Sequence, residues 1–187
     1  MPASSITADT SAAHAAAAAA LARPFFDPID RLGALTPVGY GDLPADYQNL
    51  LAHTGHMTIT LEAWHESLVA VRVVGEDRQP DSYARHSLLA RETDGRIVQS
   101  GVMRIDLTGL PMAVRAAVEL GETPLGRILI RANLLREVEP LALWRIGAGK
   151  TLAAELGCRP GEVIFGRSAR ILVEGEPAVE LLEIVRP

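Results

Sequence analysis

Residues 162–185, EVIFGRSARILVEGEPAVELLEIV, decide the fold. Two stretches rich in β-branched and apolar residues, Glu162–Val173 and Ala178–Val185, flank the turn-forming pair Gly175-Glu176. Strand-forming runs on either side of a short turn that contains glycine are typical of a β-hairpin. The sequence therefore predicts that these residues form two antiparallel strands.

The second strand places a carboxylate on an otherwise apolar face. Successive side chains of a strand point to opposite faces, so Glu183 shares its face with Val179, Leu181 and Val185. Burying a carboxylate without a partner costs several kcal/mol, so Glu183 should either meet an arginine or line a cavity. The alternative is that this face is exposed to water.

Further strands and helices precede the hairpin. Runs rich in β-branched residues predict strands at Met57–Ala63, Leu68–Gly75, Ser82–Glu92, Arg96–Asp106 and Asn133–Ile146. Apolar spacing with proline or glycine at the ends predicts helices at Leu43–His53, Leu110–Leu120 and Gly149–Leu156, and a helical turn from Pro124. Runs of strands with helices clustered between them indicate an α+β fold.

The amino-terminal part is expected to lie outside this domain. Residues 1–23 are rich in alanine, which favours a frayed arm or a marginal helix, and the prolines and glycines of Asp27–Gly41 predict an irregular lead-in. We therefore expect an arm and lead-in at residues 1–42 and one domain at residues 43–187. The apolar run Ala12–Ala22 is too short to cross a bilayer and does not have the form of an export signal, so we expect no membrane partner.

Composition narrows the class of protein. A chain of 187 residues, 48% of them hydrophobic, suits one well-buried core. The net charge of -5 and the lack of a basic stripe argue against a nucleic-acid partner. Cys158 is the only cysteine, which excludes an internal disulfide. These features favour a cytoplasmic protein, either a monomer or a small homo-oligomer.

Common cofactor and nucleophile motifs do not fit the sequence. Residues 147–151, GAGKT, resemble the end of a phosphate-binding loop, but Trp144 and Arg145 stand where its first glycine is needed. The histidines lack the spacing of zinc ligands, and no G-x-S-x-G nucleophile motif is present. We therefore expect neither a metal nor an organic cofactor.

Arginines recur in neighbouring predicted strands, at Arg85, Arg136, Arg167 and Arg170. Guanidinium groups hold carboxylates strongly through paired hydrogen bonds. If these arginines and Glu183 converge on one face, they form a pocket for a small, partly apolar molecule with two negative charges. The alternative is that they are solvated charges at strand edges.

Several motifs, taken in order along residues 43–187, resemble the chorismate pyruvate-lyase family. The most specific is Gly121–Arg127, GETPLGR. The others are Gly55-His56-Met57-Thr58, Tyr83-Ala84-Arg85, Gly166-Arg167-Ser168-Ala169-Arg170 and the run from Gly175-Glu176-Pro177 to Glu183.

The resemblance implies a fold and an activity. The fold is a single antiparallel sheet with helices packed on one side and a buried cavity. The activity is a carbon–oxygen lyase reaction that needs no cofactor, in which chorismate loses pyruvate to give 4-hydroxybenzoate, or the 3-hydroxy isomer in some branches. Strong inhibition by the aromatic product is expected with it.

The resemblance also implies roles for particular residues. Arg85 would clamp the ring carboxylate, and Glu183 would supply or relay a proton at the hydroxyl or enolpyruvyl end. The other expected binding residues are Met57 in a lid, Leu125 and Gly126 at the cavity wall, and Arg136 or Arg170 at a second carboxylate.

Two departures from the family pattern leave alternatives open. Val102 stands where the family has an arginine, which favours a related substrate. One extra residue lies between Pro177 and Glu183, so either a bulge absorbs it or Glu180 takes the place of Glu183. A different class of function is a sensor domain of the same fold that breaks no bond. It would need a DNA-binding partner domain, and residues 1–42 show no helix-turn-helix pattern.

Overall fold

The computed structural model describes residues 8–187, and its centre is one antiparallel sheet. The seven strands lie in the order β1-β5-β6-β7-β4-β3-β2. Their bounds are β1 Leu35–Val38, β2 Val69–Arg78, β3 Ser82–Arg91, β4 Ile97–Asp106, β5 Arg136–Gly147, β6 Val163–Val173 and β7 Glu176–Val185. This architecture confirms the predicted α+β class with a single antiparallel sheet.

Six α-helices accompany the sheet in the described part of the chain. Their bounds are α1 Ala8–Ala22, α2 Ala45–Leu51, α3 Met57–His65, α4 Met112–Leu120, α5 Leu125–Arg131 and α6 Lys150–Leu156. No helix within residues 8–187 is long and apolar enough to span a membrane.

The helices cover both faces of the sheet, whereas the resemblance implied one. Helices α1 and α6 pack on what we call the reverse face, over a core that includes Trp144, Leu182 and Ile184. Helices α2 to α5 lie over the opposite face, which we call the cavity face. The sheet is therefore buried on both sides, and residues next to each other in one strand can serve two separate cores.

The amino-terminal segment differs most from its sequence-based expectation. Residues 1–7 of the expected arm lie outside the described residues, but α1 is a helix whose Ala18, Leu21 and Ala22 are buried against the sheet. The lead-in also contains a strand, since β1 pairs with β5 at the edge of the sheet. Small alanine side chains let α1 lie close to the sheet, so a run without amphipathic pattern still contributes to the core.

The predicted strand at Met57–Ala63 is wrong, because these residues belong to α3. Its buried residues are Met57, Thr58 and Leu61, which share one face of a helix but not one face of a strand. The β-branched residues misled the sequence prediction, since packing overrides a weak intrinsic preference.

The closing hairpin forms as predicted and contains the bulge. Opposite β6, the pairing runs from Ile171 with Val179 to Leu172 with Pro177, so Ala178 is the extra residue. The bulge keeps Glu183 on the cavity face. Glu180 lies on the reverse face, where it is exposed and paired with Arg104. The structure thus decides between the two carboxylates in favour of Glu183.

The GAGKT segment serves packing at the start of α6. A Cβ atom at Gly149 would lie 2.3 Å from the carbonyl oxygens of both Asp30 and Arg31. Only glycine allows that close approach of two backbone segments. The resemblance to a phosphate-binding loop therefore has a structural cause.

Candidate functional site

An enclosed pocket lies between the cavity face and the starts of α3 and α5. Its floor is one row of residues that face each other across β3, β4, β7 and β6: Ser87, Gly101, Glu183 and Arg167. Its walls are mostly apolar and include Val71, Leu89, Met103, Val138, Ile171 and Leu181. A few polar groups in an apolar enclosure are typical of a site for a small organic molecule.

Arg85 is the charged group that the protein leaves without a full set of partners. Its side chain lines the pocket and is 2% exposed. Within residues 8–187, its Nε and Nη1 atoms have no hydrogen-bond partner, and Nη2 donates a 3.4 Å bond to the Thr123 carbonyl oxygen. Burial lowers the pKa of Arg85, and the neighbouring Tyr83 and Glu76 oppose that shift. This guanidinium is placed to bind an anion.

Arg167, by contrast, has its hydrogen bonds filled by the protein. Its Nε donates to Glu183 Oε2 over 2.7 Å, and its Nη1 donates to the His53 carbonyl oxygen over 2.8 Å. Longer bonds of 3.4 Å reach the carbonyl oxygens of Leu51 and Gly55. The ion pair between Arg167 and Glu183 is almost fully buried, and in it each charge compensates the other. Arg167 therefore holds the floor and the loop before α3 together.

The start of α3 adds positive potential at the pocket wall. His56 is the residue before the helix, no side chain caps the first turn, and both Met57 and Thr58 line the pocket. The first N–H groups of a helix have no partner inside the helix, and the helix dipole favours negative charge there. This potential acts in the same direction as the charge of Arg85.

Arg136 lies just outside the pocket, behind His56. Its Nε donates to His56 Nε2 over 2.7 Å, and its Nη1 donates to the Leu134 carbonyl oxygen over 2.9 Å. Burial lowers the pKa of His56, and so do the charges of Arg136 and Arg167. His56 is therefore neutral at pH 7, as an acceptor at Nε2 must be.

The structure brings together most, but not all, of the site residues predicted from sequence. Arg85, Glu183, Met57, Leu125 and Gly126 all line the pocket. Arg170 does not, because it lies on the reverse face, where it is half-buried beside Glu139. Arg170 therefore cannot bind a second carboxylate inside the pocket, because successive residues of β6 point to opposite faces.

Val102 borders the pocket, but its side chain belongs to the reverse core. Val102 therefore gives no direct evidence for a different substrate.

Sequence reasoning missed two polar residues of the pocket, Ser87 and Gln99, and did not predict the ion pair made by a third, Arg167. Arg167 was noted as one arginine among four, but nothing in the sequence showed that it pairs with Glu183. Ser87 and Gln99 each stand two residues along the strand from another pocket residue, Arg85 and Gly101 respectively. Alternation from those two neighbours would have placed both on the cavity face.

No group of three or more metal-ligating side chains is gathered anywhere in residues 8–187. What the pocket offers is one buried cation with open donors, a compensated ion pair and apolar walls. That arrangement suits reversible binding of a small anion.

Comparison with known proteins adds evidence on the fold. No family model matches the chain, and no curated protein sequence matches it. The effector domain of PhnF from Mycobacterium smegmatis is similar in structure, with a TM-score of 0.50, 13% identity, and coverage of 81% of this chain and 91% of that domain. The structure of PhnF from the same organism also has a TM-score of 0.50, with 12% identity and coverage of 72% of this chain and 64% of that one.

A further match is the C-terminal domain of the histidine utilization repressor from Pseudomonas syringae pv. tomato. It has a TM-score of 0.45 and 18% identity, and the match covers 63% of this chain and 90% of that domain.

These structures confirm the fold that the resemblance implied, which is chorismate lyase-like and occurs in effector domains of transcriptional regulators. They contradict the prediction that the chain is a carbon–oxygen lyase, because the similar structures are regulator domains rather than lyases.

Proposed function

We propose that this protein is a sensor domain that binds a small organic acid in the pocket and breaks no bond. The observation that carries the proposal is Arg85, whose guanidinium is buried in the pocket with two N–H groups unpaired within residues 8–187. An unpaired buried cation is costly, so a site that keeps one is built for an anion that completes it.

Charge balance in the pocket favours a single negative charge on the ligand. Arg85 and Arg167 contribute two positive charges, and Glu183 contributes one negative charge that Arg167 already compensates. One carboxylate bound to Arg85 would neutralise the remainder. A dianion such as chorismate would bring a second negative charge, and within residues 8–187 the only other arginine of the pocket lining, Arg167, is already paired with Glu183.

The similar structures support this proposal because one of them is described as an effector domain. The match to the effector domain of PhnF covers 91% of that domain, so the fold that the two chains share is that of an effector domain. Because that match shares 13% identity, it supports the class of function, and the choice of a carboxylate rests on Arg85 alone.

The proposal is tested by measuring binding of benzoate and of benzamide, its neutral analogue, by isothermal titration calorimetry. We expect benzoate to bind saturably and benzamide to bind at least roughly tenfold more weakly, because the guanidinium loses its charged partner. Arg85→Gln should weaken benzoate binding by about 2–5 kcal/mol, the usual cost of removing one member of a buried charge pair.

Arg170→Gln is the matched control, since it removes the same charge from a half-buried arginine on the other face of the sheet. It should leave benzoate affinity unchanged. Equal affinity for benzoate in the wild type and in Arg85→Gln would overturn the proposal. The sensor function also predicts that the protein releases no pyruvate from chorismate.

A further inference from the structure

A second pocket residue has an unused hydrogen-bonding group. Gln99 lines the pocket and is 7% exposed. Its side-chain oxygen, Oε1, has no hydrogen-bond partner within residues 8–187. Buried amide oxygens are nearly always paired, because leaving one unpaired forfeits the hydrogen bond that it made with water. The fold therefore keeps a polar group in this wall that its own residues do not satisfy.

The amide of Gln99 lies over the floor of the pocket. A Cβ atom at Gly101 would be 2.8 Å from Gln99 Nε2, which is closer than a side chain tolerates. The amide consequently packs against the bare backbone of Gly101, directly beside Glu183 in the neighbouring strand. Glycine at this position leaves the space in which both the amide and a ligand can lie.

Gln99 and Arg85 stand at opposite ends of that floor. Arg85 pairs with Met103, and Gln99 is four residues back along β4, beyond Gly101. At roughly 3.3 Å per residue, the two backbone positions are about 13 Å apart. The Gln99 amide lies over Gly101, on the side of Gln99 that faces the Arg85 end of the floor, and both side chains line the same pocket. The pocket thus has a cationic end and a neutral, hydrogen-bonding end.

We propose that Gln99 determines specificity by accepting a hydrogen bond from the end of the ligand that is remote from its carboxylate. The ligand class is then a small carboxylic acid with a hydroxyl or amino group at its far end. This inference rests on the proposed function, because it takes the carboxylate to lie at Arg85. An acid without the distal donor binds but leaves the amide oxygen unpaired.

The test compares ligands that differ only at the far end. Dissociation constants are measured for benzoate, 3-hydroxybenzoate, 4-hydroxybenzoate and 4-methoxybenzoate, with the wild type and with Gln99→Leu. In the wild type, the better hydroxybenzoate binds at least roughly tenfold more tightly than benzoate. The methoxy acid, which accepts but cannot donate, shows no such gain. In Gln99→Leu the hydroxybenzoate and benzoate affinities become equal within about threefold.

Gln79→Leu is the control, because Gln79 is exposed and its amide bonds to Asp77 away from the pocket. It retains the wild-type preference for the hydroxylated acid. If no benzoate binds to any variant, the proposed function itself fails. If benzoates bind and Gln99→Leu keeps the full preference for the hydroxyl, the acid site stands and the role of Gln99 is overturned.

Discussion

Buried polar groups are hydrogen-bonded to one another on the reverse face of the sheet but partly unpaired on the cavity face, although the two sets are neighbours in the same strands. On the reverse face, His86 Nε2 lies 3.0 Å from Ser100 Oγ, which donates to Glu155 Oε2 over 2.8 Å. On the cavity face, the adjacent residues Arg85 and Gln99 keep unpaired groups within the described residues. Burial is similar on both sides, so burial alone does not account for the difference.

The contrast distinguishes polar groups that stabilise the fold from polar groups that remain available to bind a ligand. The His86–Ser100–Glu155 network joins β3 and β4 to α6, and the Phe26 ring lies 4.7 Å from that of His86. A fully paired network of this kind fixes one packing of its elements. Groups left unpaired weaken the ligand-free fold, and binding that satisfies them stabilises it.

The largest expected effect comes from breaking the buried ion pair between Arg167 and Glu183 on the cavity face. Arg167→Met should lower the free energy of unfolding by about 3–5 kcal/mol, because it leaves Glu183 buried without its partner. Arg85→Met, the same substitution at the unpaired arginine, should leave the ligand-free protein as stable as the wild type or more stable. Urea unfolding of both variants tests this. An equal loss in the two would remove the distinction between the arginines.

A smaller effect compares two serines, one on each face. Ser100→Ala should lower the free energy of unfolding by about 1–3 kcal/mol, since it leaves His86 and Glu155 without their shared hydroxyl. Ser87→Ala removes a pocket hydroxyl that the protein does not use, so the change should stay within about 0.5 kcal/mol. Thermal unfolding of the two variants gives the comparison directly. A Ser87→Ala variant that loses as much stability as Ser100→Ala would contradict it.

The sequence was sufficient for most strands because their pattern is local. The pattern of residues 162–185 predicts the hairpin and puts Glu183 on one face with Val179, Leu181 and Val185, but it leaves open whether that face is buried; the bulge at Ala178 is one of the two alternatives that the sequence allows. The helix at Met57–His65 was missed because its β-branched residues favour a strand until packing against α5 and the sheet decides. A marginal helix was one expectation for the alanine-rich α1, but its burial against the sheet was not predicted, because alanine carries too weak a hydrophobic signal to reveal it.

The site was only partly predictable because its chemistry depends on pairing between strands. Sequence placed Arg85 and Glu183 in one pocket, but it could not show which arginine Glu183 would meet. Arg170 was assigned to the site, yet one residue of register puts it on the reverse face. Whether a buried group is satisfied depends on residues far away in the chain, as the Thr123 carbonyl at Arg85 shows.

The smallest expected effect is a loss of stability in mild acid that originates at the cavity face. Burial lowers the pKa of both His53 and His56 from 6.5, with further lowering by Arg167 at His53 and by Arg136 at His56. A lowered pKa means that the unfolded chain binds protons first as the pH falls. The neutral histidines therefore contribute stability that is fully present above about pH 6.5 and is lost as the pH falls toward their folded-state pKa.

Urea midpoints measured at about pH 7.5 and 5.5 should show this loss, and the double variant His53→Gln, His56→Gln should reduce it. The carboxyls of Glu76, Asp94 and Asp106 have a pKa lowered from 4.5, 3.8 and 3.8 by hydrogen bonds, so they titrate below this window. A double variant as acid-sensitive as the wild type would place the origin of the effect outside the pocket.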